Sequence, residues 1–84
     1  MKDARYYDSL PWEVRIEHDL RRDGTVYYIA RHPEFGEVAG TVGTGTSPEE
    51  ALAELREVRR SLIDVLLERD DPIPEPAPHR TARA

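Results

Sequence analysis

The sequence contains no cysteine, no asparagine and no glutamine, and its only lysine is Lys2, against eleven arginines. Without thiols there are no disulfides, thiolate-held zinc sites, iron–sulfur clusters or cysteine nucleophiles, so stability must come from packing. The loss of thermolabile amides fits a thermophile, and the Ala, Arg, Gly and Pro bias fits a GC-rich genome as well. Long apolar runs are also missing. Nothing approaches the roughly 18 to 20 residues that cross a bilayer, and the opening MKDARYYDSL has no signal-peptide apolar stretch, so the expected location is the cytoplasm.

What is present is short and acidic. With 84 residues the chain builds one domain around one modest core. The formal net charge is -5, and residues 11–71 alone carry -6. Such a surface repels nucleic acid and favours basic partners.

Trp12, Val14, Ile16, His18 and Leu20 alternate with Glu13, Arg15, Glu17 and Asp19, the period of a strand with one buried and one wet face. Asp23-Gly24 then supplies a hairpin turn, and Thr25 to Arg31 forms the return strand. Tyr27 and Ile29 fall on the face opposite Val26, Tyr28 and Ala30, so a partner is expected against them. Pro33 and Gly36 break the run, and a pliable edge strand of Gly and Thr is expected over about Val38 to Thr44.

Ser47-Pro48-Glu49-Glu50 starts a helix: Ser47 caps, Pro48 takes the first position and Glu50 closes a capping box. The helix should run to about Arg69, with Ala51, Leu55, Val58, Leu62, Val65 and Leu66 as its core stripe. Leu52, Ile63 and Leu67 lie outside that stripe and, with Val42 on the edge strand, are the residues expected to meet a second copy. Asp70-Asp71-Pro72 ends the helix. The division expected is an N-terminal extension over 1–11, a β-β-β-α domain over 12–71 and a Pro-rich, largely disordered tail over 72–84.

Three patterns evoke chemistry. Gly40, Gly43 and Gly45 precede a helix, but their order fits no dinucleotide fingerprint, no P-loop lysine follows, and Glu49 and Glu50 oppose a phosphate. Glu13, Glu17 and Asp19 share a strand face interleaved with Arg15, unlike the converging carboxylates of a metal-dependent nuclease. His18, His32 and His79 match no zinc spacing, and no serine has an evident base. No catalytic residue, metal or cofactor is expected, and the chain reads as a non-enzymatic α+β binding module.

Tyr28 to Glu34 (YIARHPE), Gly45 to Leu52 (GTSPEEAL) and Leu66 to Pro76 (LLERDDPIPEP) together resemble the N-terminal domain of the HicB antitoxin family. That family shows an "A..PE" turn, a "G.T.EEAL" helix entry and a helix exit of the form "LLE.G.PIPEP". The resemblance implies a partial ribonuclease-H-like β-β-β-α fold and neutralisation of a HicA-type toxin, a small basic protein that cleaves messenger RNA. Phe35-Gly36-Glu37-Val38 departs from the family's Pro-Gly-Cys, and direct nucleic-acid binding by this chain alone is not expected. Glu13, Glu17, Tyr27 and Ile29 are the residues expected to meet the partner. The alternatives are a homo-oligomeric structural or regulatory module of the same fold, and a degenerate metal-dependent nuclease.

Overall fold

The computed structural model describes residues 2–35 and 41–76. Its elements are α1 (Ala4–Asp8), β1 (Arg15–Leu20), β2 (Val26–Arg31), a short 3-10 turn (Pro33–Phe35), β3 (Val42–Gly45) and α2 (Pro48–Glu68). The strands form one antiparallel sheet in the order β1-β2-β3, and α2 packs on β3 and β2. This is the expected α+β arrangement of a three-stranded sheet on one long helix.

The β1–β2 hairpin closes as Asp23-Gly24 predicts. Gly24 has φ 89°, a conformation that costs glycine little. Arg21 N–H donates to the Thr25 carbonyl at 2.8 Å, and Gly24 N–H donates to that of Arg21 at 2.9 Å. Val38 and the first residues expected of the third strand lie outside the described residues, as do Ala77 to Ala84 of the tail with His79.

Ser47 caps α2, its hydroxyl accepting from Glu50 N–H at 3.1 Å. Glu50 reaches one residue further back than a capping box requires and accepts the N–H and hydroxyl of Thr46, at 2.8 and 2.9 Å. At the other end Arg69 is the C-cap and Asp70 has φ 59°. Asp71 N–H donates to the Leu66 carbonyl and Asp70 N–H to that of Leu67, at 2.9 and 3.1 Å, which together form a Schellman motif. Glycine tolerates that left-handed position better than aspartate, so Asp70→Gly should stabilise by about 0.5–1 kcal/mol. A thermal melt should show a midpoint several degrees higher; no rise would argue against strain at Asp70.

The core differs from the expected stripe. The buried residues of α2 are Ala51, Leu55, Arg59 and Ile63, every fourth residue, while Val65 is exposed. Small residues explain the orientation. A Cβ on Gly43 would lie 2.3 Å from the Ala51 carbonyl oxygen and from the Leu55 amide nitrogen, and Ala30 is fully buried beside Ala51 and Leu55. The missing side chains let α2 settle onto β3 and β2. Consequently β1, expected to bury Val14, Ile16, His18 and Leu20, is exposed throughout. Only Trp12 of that alternating series is buried, ahead of the strand.

Residues 1–11, expected as an extension, contain α1. Asp3 caps it by accepting from Tyr6 N–H at 3.0 Å. Ala4, Tyr7 and Leu10 pack against a cluster of Trp12, Phe35 and Ile63, together with Leu62, Leu67 and Ile73. The broad apolar arc of α2 is therefore covered largely by the chain's own N-terminal segment and by Ile73. Ile63 is only 1% exposed, Leu67 belongs to the same cluster, and Leu52 packs beside Ala30, Ala51 and Leu55. Ile63 is thus unavailable to a second copy, and Leu52 and Leu67 are committed within the chain.

Candidate functional site

The sheet has two unlike faces. Gly43, Gly45, Ala30 and Tyr28 lie under α2. The cross-strand pairs Glu17↔Ile29, Asp19↔Tyr27 and Arg15↔Arg31, with Ile29↔Thr44 and Arg31↔Val42, form the opposite, outer face. Tyr27, Ile29 and Val42 are half-buried there, sheltered by one another and by neighbouring long side chains. Arg21 lies 5.2 Å from the Tyr27 ring centroid, a cation–π distance.

Three of the four expected partner residues, Glu17, Tyr27 and Ile29, therefore meet on one surface, and Val42 joins them rather than the helix residues Leu52, Ile63 and Leu67. Glu13 does not. It precedes β1, and its backbone N–H donates to Glu34 at 2.9 Å. Both acidic candidates are offset by arginine: Glu13 meets Arg15 at 3.1 Å and Glu17 meets Arg31 at 3.5 Å.

Uncompensated negative charge lies instead on α2 and its exit. Residues 48–71 contain eight carboxylates against four arginines, and Arg59 is neutralised by Asp8 at 2.8 Å. Glu50, Glu54 and Glu57, spaced i, i+4, i+7, form one row. Glu54 accepts the backbone N–H and hydroxyl of Thr44, which places the row along the outer edge of β3. The row thus borders the Tyr27, Ile29 and Val42 surface.

Behind this surface sits a buried polar network that the sequence did not disclose. Arg59, 8% exposed, and His32, 2% exposed, are joined by a hydrogen bond of 3.1 Å to His32 Nε2. His32 Nδ1 is 2.7 Å from the Glu13 carbonyl. Arg59 is a donor only, so Nε2 accepts from it and Nδ1–H donates to the carbonyl, which makes the imidazole neutral. Burial first, then the Arg59 charge, hold His32 below its ordinary 6.5. Desolvation pushes the Asp8 carboxyl up, but hydrogen bonds and charge from Arg59 and Arg60 outweigh it and hold Asp8 below its ordinary 3.8.

This network ties α1, α2, the end of β2 and the entry to β1. Its two charged groups satisfy each other and its imidazole is enclosed by Trp12 and Phe35, with centroids at 5.6 and 6.1 Å. That arrangement supports structure; it presents no reactive atom to solvent. Of the three glycines in the phosphate-loop pattern, Gly43 and Gly45 press against α2, and Gly40 lies outside the described residues. His18 is exposed beside Tyr28. Among the described residues no three His, Asp or Glu side chains converge to hold a metal ion, and no helix is long and apolar enough to cross a membrane. No protein-family model, curated protein or solved structure matches the chain.

Proposed function

We propose that the chain is a HicB-like antitoxin module with a partial ribonuclease-H-like fold, which acts in the cytoplasm by docking a small, basic, HicA-type RNA-cleaving toxin on its outer sheet face. The observation that carries this reading is the junction of the apolar Tyr27, Ile29 and Val42 surface with the acidic Glu50, Glu54 and Glu57 row along β3. A basic partner is steered by the row and held by the apolar surface, the usual division between encounter and retention. The resemblance of the three segments supports the toxin as the partner class. The residues carrying that resemblance include His32, Gly45, Ala51 and Ile73, which the fold uses for packing.

Binding kinetics with the toxin separate the two contributions. Reversing Glu57 and Glu68, exposed residues on the same side of α2, should slow association about tenfold at low salt and flatten its salt dependence. Ile29→Asp should instead speed dissociation by about 30-fold or more. Reversing Glu13 and Glu17 should do less than reversing Glu57 and Glu68, because Arg15 and Arg31 already offset them. Association indifferent to salt and to the α2 reversals would defeat the steering component, and dissociation unchanged by Ile29→Asp would defeat the docking face.

A further inference from the structure

The two edges of the sheet are treated differently. On β3 the outward N–H of Thr44 is taken by Glu54, and the adjoining Thr46 N–H by Glu50, so the donors along that end of the edge are already engaged. On β1, the Arg21 N–H bond to the Thr25 carbonyl sets the alternation of the ladder. Asp19, Glu17 and Arg15 bond towards β2, while Ile16, His18 and Leu20 turn their backbone groups outward. Leu20 N–H is met by the Asp19 carboxylate at 2.8 Å, leaving Ile16 and His18 open. Beside this open edge, Val14, Ile16, Leu20 and Val26 are 39%, 44%, 62% and 41% exposed.

We propose that β1 pairs antiparallel with β1 of a second copy about a twofold axis at Glu17, forming one continuous sheet. In that register Ile16 and His18 face His18 and Ile16 of the other copy, and their outward backbone groups exchange hydrogen bonds. Val14 meets Leu20, and the apolar strip left beside α2 is shared between the copies. Both helices remain on one face, and the two outer faces join into a single surface.

Charge selects the register. Centred on Glu17, Arg15 faces Asp19 and Glu13 faces Arg21, each twice by symmetry, against one Glu17–Glu17 repulsion. Moving the axis to His18 sets Glu17 against Asp19 and Arg15 against Arg21, four repulsions. Moving it to Ile16 sets Arg15 against Glu17 twice but also Glu13 against Asp19 twice, so the attractions are cancelled. The outward backbone groups require a shift of whole residues that keeps Ile16, His18 and Leu20 opposite one another, so these are the neighbouring competitors. The occupant is a second copy because the strand complements its own reversed charge pattern.

A charge swap tests this on the full chain by analytical ultracentrifugation, with circular dichroism confirming that each variant is folded. The wild type should sediment as a dimer at tens of micromolar. Arg15→Asp and Asp19→Arg should each weaken the dimer about tenfold or more, since each creates two like-charge pairs. Combining them should restore dimerisation to near the wild-type level, and Glu17→Gln should tighten it about two- to fivefold. A monomeric wild type, a dimer indifferent to the single reversals, or a double variant no better than either single would overturn the proposal.

Discussion

Replacing Arg59 with Met should lower stability by about 3 kcal/mol and the melting midpoint by about 12–24 °C. Methionine keeps the volume along the helix but removes two hydrogen bonds to the Asp8 carboxylate, at 3.1 and 2.8 Å, and the one to His32 Nε2. What remains is a partly buried carboxylate, still contacted by Arg60 at 3.3 Å, and a buried imidazole nitrogen with no donor. Removing one member of such a pair usually costs more than the intact pair contributes. An additional Asp8→Leu substitution should therefore cost less in the Arg59→Met background than in the wild type, an interaction readable as a double-mutant cycle. Additive losses would show that the network is not a unit.

The same network sets a pH dependence. His32 titrates below 6.5 in the folded chain and close to 6.5 when unfolded, so below that pH the unfolded state binds more protons. Its contribution is complete above about 6.5 and falls as the pH drops towards the folded value. Asp8, held below 3.8, adds a second loss that begins only as the pH approaches 3.8. His32→Gln should flatten the first decline and leave the second.

Gly43→Ala should be almost as damaging, although it adds one methyl group. That carbon would lie 2.3 Å from the Ala51 carbonyl oxygen and Leu55 nitrogen, and 2.8 Å from Leu55 Cα. All three are backbone atoms, so no rotamer change relieves the overlap and α2 must lift from β3. A cost of about 3 kcal/mol, at the upper end of overpacking, is expected. Trimming Ala51 to Gly should not rescue it, because the clash is with main chain. Gly24→Ala, whose added carbon meets nothing within 4 Å but must adopt φ 89°, should cost only about 1 kcal/mol. Equal chemical-denaturation midpoints for Gly43→Ala and the wild type would contradict the close approach.

Both sites act through contacts beyond their own local segments. Local chemistry was legible: the Asp23-Gly24 turn, the Ser47 cap and the helix end at Arg69 each depend on neighbours within a few residues. Arg59 was not, because a lone charge among Arg56, Arg60 and Glu57 resembles a solvated face. Its partner Asp8 lies 51 residues upstream. The available signal was the Ala51, Leu55, Arg59, Ile63 spacing, in which an arginine completes an apolar row. The five-residue α1 is too short for periodicity to detect, yet the excess apolar width of α2 required a cover, and α1 supplies much of it. Glycines in a strand ordinarily signal pliability, whereas Gly43 acts by bringing the helix close, and that displacement uncovers β1.

The candidate surface followed the same division. Alternation grouped Glu17 with Glu13 and Asp19, and Tyr27 with Ile29, within their own strands; the β1–β2 register joins Glu17, Tyr27 and Ile29 on one face, and the sequence could not reveal that arginines offset the β1 acids. The acidic row along β3 emerges only once α2 is placed on the sheet.

The most direct test is RNA cleavage by a small, basic toxin of the HicA type, with and without the purified protein at equal concentration. Full-length RNA should persist in its presence, and the Ile29→Asp variant at the same concentration should protect far less. Cleavage proceeding at the same rate with the wild-type protein in large excess would contradict the antitoxin function.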